Sequence, residues 1–348
     1  MKYQAPQKWG AFSSHPGVSF WHPKWYNFSM KKIICIILAL VMVLGLCSCG
    51  KKGQTAAKPT NKEMTVNEST LFQWLDESVG MWEFAQRFFD DKIIYKTKLG
   101  TWTYANVDTS LPLSDYNWDN LRHAGPIAGT EWEYYEGTDL KSIKGIDISA
   151  YNKVTDWDAV KKDGVEFAMV RVGYRGYSKG GLIEDDRFME HTKGASEAGV
   201  QLGAYFVTQA INTAEAIEEA DFVIALLKAS GVDYTWPIAL DLEDAASLDA
   251  RTAMLSKGER TDIIIAFCER IKEAGYTPML YAAIRWYMDE MDISRLTDYN
   301  KWFAQYFNRP FFPYEFQMWQ YTSSGAVEGV EGNVDLNLCL KNYAEKNE

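Results

Sequence analysis

Histidine and cysteine are scarce, with four and five copies in 348 residues. No group of them has the spacing of a zinc site, so the sequence asks for no metal, and no other cofactor is required by any motif. Positive charge is also short. Thirty-six Lys and Arg face 47 Asp and Glu, a formal net charge of -11, which argues against nucleic acid as a partner. A long apolar run is missing too. The longest, within Met30 to Cys49, holds about fifteen residues and falls short of a comfortable membrane span.

What that run does fit is export. MKKIICIILALVMVLGLCSC places two lysines before an apolar stretch and small residues with a cysteine after it, as a secretory signal does, with an uncleaved membrane anchor as the alternative. Leu46-Cys47-Ser48-Cys49-Gly50 then resembles the lipobox of bacterial lipoproteins, which implies that Cys49 is lipidated and anchors the chain at the outer face of the cell membrane. Residues 1–29 carry no targeting logic, so translation is expected to start at Met30. Removing residues 1–48 takes away five lysines and no acids, leaving a formal charge of -16. Cys268 and Cys339 remain, either as one disulfide or as two buried thiols. His123 and His191 are expected at the surface.

Residues 50–65 are polar and small and read as a flexible tether. Residues 66–143 form an aromatic-rich segment of mixed character. It has helical spacing from Val66 to Phe89, a hairpin over Ile93 to Asn106 around Lys98-Leu99-Gly100, and an irregular stretch from Leu111 to Lys141. From Lys144 onward strands alternate with helices, and the helices drop out late. That rhythm predicts an α/β fold, a modified TIM-like barrel of about five β/α units plus extra strands, over residues 144–348.

The central stretch is Trp236-Pro237-Ile238-Ala239-Leu240-Asp241-Leu242-Glu243-Asp244. Alternation along a strand puts Ile238, Leu240 and Leu242 on one face and Ala239, Asp241 and Glu243 on the other. The two acids lie about 7 Å apart along the strand, near the barrel mouth where such folds keep their chemistry. Mutual repulsion and partial burial favour one proton held between them, and a proton donor beside an ionised partner suits glycosidic cleavage. A strand-end pair that only caps a helix or meets a basic residue is the alternative. Other strand ends converge on the same mouth: Asp147, Arg171, Tyr205, Tyr281, Gln305, Trp319, Gln320 and Asp335.

These motifs, in order, resemble the glycoside hydrolase family 25 muramidases, the Chalaropsis-type lysozymes. The resemblance runs from Gly145-Ile146-Asp147-Ile148-Ser149 through Gly203-Ala204-Tyr205, Asp241-Leu242-Glu243 and Met318-Trp319-Gln320-Tyr321 to Val334-Asp335-Leu336-Asn337. It implies cleavage of the β-1,4 bond between N-acetylmuramic acid and N-acetylglucosamine in peptidoglycan; separately, the protein is expected to be a monomer. Glu243 falls on the general acid, and Asp147, Asp241 and Asp335 on the other active-site carboxylates. Their division of labour stays open: an aspartate as base or nucleophile, or Asp241 orienting the substrate's own acetamido group. Tyr205, Tyr281 and Trp319 match sugar-contacting aromatics, with wall packing as the alternative, and Arg171 and Gln320 join them as substrate-binding residues, Arg171 either anchoring an acid or holding two strands. The chain departs from the family at Ala150-Tyr151-Asn152-Lys153, where a glutamine-glycine pair is usual, and at Phe206-Val207, where a polar residue is. A catalytically silent wall-binding lipoprotein and a glycosidase for another glycan are the competing readings.

Overall fold

The computed structural model describes residues 91–124, 131–245 and 249–344. The expected signal with Cys49, the expected tether and the helices expected within residues 66–89 lie outside the described residues.

Eight strands close into a barrel: β1 (Ile143–Ile148), β2 (Phe167–Arg175), β3 (Gln201–Val207), β4 (Ile238–Leu242), β5 (Pro278–Ala283), β6 (Asn300–Ala304), β7 (Met318–Gly325) and β8 (Val334–Cys339). Strands β1 to β7 pair in parallel, each with the next. The last strand, β8, runs antiparallel to both β7 and β1 and seals the sheet. The expectation of a parallel barrel therefore holds for seven strands and not for the eighth. Likeness to a TIM barrel is loose, because α-helices follow only the first four strands: α1 (Trp157–Lys162), α2 (Phe188–Glu197), α3 (Thr213–Ser230) and α4 (Lys257–Glu273). After β5 a single π-helical turn, Trp286–Glu290, and a 3-10 turn stand in for the fifth.

The helix ends follow local chemistry. Asn212 accepts from the Glu215 N–H to start α3, and Gly231, at φ +71°, takes the left-handed conformation that ends it. Ser256 and Glu259 form a capping box at α4.

Strand alternation sorts the core into two layers. Ile146, Ile148, Val170, Leu202, Ala204, Ile238, Leu240, Leu242, Leu336 and Leu338 face outward against the helices and loops. Phe167, Met169, Tyr205, Ala239, Met279, Tyr281, Trp302 and Met318 fill the lumen. Phe167 stacks on Trp236 at 3.8 Å to make its floor. Gly145 is required there, since a Cβ would run into the Phe167 ring. The lumen is thus packed below, leaving only its upper layer for polar side chains.

The segment before the barrel shares its core. The expected hairpin is present as Lys92–Lys96 paired with Trp102–Asn106, with Gly100 at φ +79° in the turn. Ile93, Tyr95 and Tyr134 join the outer layer. The stretch read as irregular contains a small sheet, Leu121–Ala124 with Glu131–Glu136 and Asp139–Leu140, whose charged residues hid its period.

One expectation about histidine fails. His123 is exposed, but His191 is fully buried on α2, where it donates Nε2–H to the Ser149 carbonyl at 3.3 Å. Burial lowers its pKa, so the neutral ring is the one that packs there. Cys268 and Cys339 are buried free thiols.

Candidate active site

At the barrel mouth the strand register brings the acids together. Asp335 lies directly across from Asp147 in the β8–β1 ladder, because β8 enters the barrel at the end where β1 leaves it. Asp241 is the partner of Tyr281 on β5, and Glu243 follows the end of β4 by one residue. Burial pushes the Tyr281 phenol well above its ordinary value, and the negative fields of Tyr306, Glu243, Asp241 and Asp147 push it further. Carboxylates from β1 and β4 therefore act on one hydroxyl. Asp147, Asp241 and Asp335 are 1%, 2% and 6% exposed, whereas Glu243 is half-buried and the most open of the four.

A hydrogen-bond relay aims Asp147. The Gln320 carbonyl accepts from the Tyr281 hydroxyl at 2.8 Å and from the Tyr306 hydroxyl at 2.9 Å. Its amide donates to Asp147 Oδ2 at 2.6 Å. Asn337 donates to the same oxygen at 3.0 Å. Gln320, 1% exposed, is thus engaged at both ends of its amide and sits behind the acid, not as a sugar-facing group.

Of the other sequence-expected residues, Tyr205 and Tyr281 line the lumen at 2% and 8% exposure. Arg171 anchors an acid, but the acid is Asp185, whose Oδ2 accepts from Nε at 2.7 Å. Burial works against the Arg171 charge, yet Tyr205, Asp185 and Tyr151 outweigh it and raise its pKa. Trp319 is not at the mouth. On β7, Met318 and Gln320 face inward, so Trp319 between them faces outward, fully buried, with Nε1–H on the Gln305 carbonyl at 2.7 Å and its ring edge-on to Trp118. The alternation that aims Gln320 inward excludes Trp319 from the lumen.

Sequence reasoning missed four participants. Asn337 shares a face with Asp335 two residues earlier, a period-2 signal present in the sequence. Tyr306 continues the inward alternation of Trp302 and Ala304, so the same signal was present for it, whereas Asp185 lies in a loop with none. Arg285 ion-pairs with Asp244, the neighbour of Glu243, and with Glu290 at 2.7 Å. Lys98, in the turn of the N-terminal hairpin, lies 3.5 Å from Asp244, so the added segment reaches the loop beside the candidate acid. Among the described residues no group of three or more His, Cys, Asp or Glu is arranged to hold a metal ion.

Comparison with known proteins identifies the family. A family profile described as glycosyl hydrolases family 25 matches residues 146–330. The autolytic lysozyme of Clostridium acetobutylicum is 24% identical over 196 residues, 56% of this chain and 55% of that protein. Lysozyme M1 of Streptomyces globisporus is 26% identical over 227 residues, 60% of this chain and 72% of that one. The chain thus spans about half the length of the first of these relatives. Among solved structures, the modular autolysin LytC from Streptococcus pneumoniae, also solved with a synthetic peptidoglycan ligand, shares the fold at a TM-score of 0.51 and 22% identity, over 72% of this chain and 56% of that one. Since the matched segment takes in more than half of the chain and runs from the first acid-bearing strand past Asp241 and Glu243, the chain belongs to glycosyl hydrolases family 25.

Proposed function

We propose that the protein is an N-acetylmuramidase that cleaves the β-1,4 bond between N-acetylmuramic acid and N-acetylglucosamine in peptidoglycan, held at the outer face of the cell membrane by a lipid on Cys49. One observation carries the catalytic part: carboxylates from β1, β4 and β8 share a single barrel mouth, with Glu243 the most open of them. Family membership and the names of the lysozyme relatives support the choice of bond.

In this reading Glu243 protonates the leaving glycosidic oxygen. The positive charge that develops on the sugar ring is met by Asp147, Asp241 and Asp335, one of which serves as base or nucleophile unless Asp241 orients the substrate's acetamido group for that role. Asp147, aimed by two amides, is held in one orientation throughout, so little reorganisation accompanies the reaction.

Glu243→Gln tests the acid. The variant should keep its circular dichroism spectrum and melting temperature while losing about 10²- to 10⁴-fold of its release of reducing ends from purified peptidoglycan. Undiminished release would overturn the assignment. For the anchor, Cys49→Ala should move the protein from the membrane fraction to the soluble one, and membrane retention would refute lipidation there.

A further inference from the structure

The turn after β1 carries an exposed tyrosine on a rigid mount. Asn152 N–H donates to the Ser149 carbonyl at 2.9 Å, and Asn152 Oδ1 accepts from the Ser149 N–H at 3.0 Å, closing the four-residue turn Ser149 to Asn152. Ala150 N–H donates to Asp185 Oδ2 at 3.1 Å, the same buried oxygen that holds Arg171 Nε. The Arg171 guanidinium in turn lies 5.1 Å from the centre of the Tyr151 ring. Tyr151 is nevertheless 51% exposed, four residues beyond Asp147. Single exposed aromatics are common. One backed by a buried ion pair, on a turn pinned at all four of its residues, is not accounted for by packing.

The barrel order places that turn relative to the acids. Among eight closed strands, β2, which carries Arg171, lies opposite β6, and Tyr306 follows β6 at 45% exposure. Asp241 and Glu243 belong to the flank between these two strands on one side, Asp147 and Asp335 to the flank on the other. Tyr151 itself follows β1, the strand that carries Asp147, so its ring belongs to the Asp147–Asp335 flank of the mouth, next to the Arg171 side chain of β2.

We propose that Tyr151 is a stacking platform for a pyranose ring of an extended, N-acetylated glycan strand, in a subsite next to the cleaved linkage. The inference rests on the muramidase reading above. The apolar C–H face of a sugar ring covers the exposed aromatic face, and the Asp185–Arg171 support means little freedom is lost when it does so.

The test compares wild type, Tyr151→Ala and Tyr151→Trp on purified peptidoglycan glycan strands of four and eight sugars, with melting temperatures to confirm folding. Tyr151→Ala should raise KM for the eight-sugar strand about tenfold, close to the worth of one aromatic contact, with kcat within about twofold. Tyr151→Trp should restore KM. An unchanged KM, or a fall in kcat alone in Tyr151→Ala, overturns the platform. If wild type itself releases no reducing ends, the muramidase reading fails separately, and co-sedimentation with insoluble peptidoglycan then decides: weaker retention of Tyr151→Ala sustains the subsite and equal retention overturns it.

Discussion

Asn337 stands between Trp302 and Asp147, and the indole decides which way its amide faces. Trp302 Nε1 can only donate, and it does so to Asn337 Oδ1 at 2.8 Å. The Asn337 amide nitrogen is thereby turned toward Asp147 Oδ2, at 3.0 Å. A tryptophan deep in the lumen thus reaches the upper layer through one side chain, and the carboxylate of β1 is oriented from β6 and β8 as well as from Gln320 on β7.

Asn337→Leu should therefore act on turnover more than on binding. Loss of a buried hydrogen bond to a charged group is worth roughly 1.5–3 kcal/mol, so kcat should fall about 10- to 100-fold while KM changes less than about threefold. Steady-state kinetics on peptidoglycan fragments check this. A KM effect without a kcat effect would mean that Asp147 is not held by this amide.

Trp319→Phe separates the outward position of this residue from the sugar-binding one expected on the sequence. The substitution removes the hydrogen bond to the Gln305 carbonyl and part of the contact with Trp118 and Tyr321. Stability in urea should drop by about 1–3 kcal/mol, and KM should stay within about twofold of wild type. A large KM change in a stably folded variant would put the indole back at the substrate.

Glu219, fully buried on α3, predicts a pH dependence of stability. Its carboxylate accepts from Arg175 Nε and Thr208 Oγ1, both at 2.7 Å, yet burial dominates and pushes its pKa up from 4.5 to about 7. Between those values the unfolded chain has released the proton and the folded chain has kept it, so stability falls as pH rises from about 4.5 to 7, by an amount on the order of 3 kcal/mol. Urea melts at pH 5 and pH 7 should show this slope in wild type, and Glu219→Gln, which does not titrate, should lack that share of it. Equal slopes would show that Glu219 is ionised across the whole range.

Much of the local structure could be read directly. Helix α3 has the expected bounds because Asn212 and Gly231 are cap residues whose chemistry acts within one turn. The inward face of β4 followed from alternation alone. Some misreadings were also avoidable. His191 lies three residues after Phe188 and four before Ala195, both buried, so the helical period already placed it on the covered face of α2. Trp319 and Gln320 are adjacent on one strand and could not both face the lumen. Glu219 sits between Ala216 and Val223 on the buried stripe of α3, although nothing near it in the chain announced Arg175 as its partner.

The sequence by itself determined the strand alternation and the caps, because each depends on residues within a turn or two of one another, whereas the expectation for the four acids rested on motifs spread from Asp147 to Asp335. Only the tertiary structure decided which strands are neighbours. Closure by an antiparallel β8 sets Asp335 against Asp147, and the register of β7 and β8 brings Gln320 and Asn337 to one carboxylate oxygen. Those pairings join distant parts of the chain, and they arise from how a twisted sheet must tilt and stagger to close on itself, which no local propensity encodes.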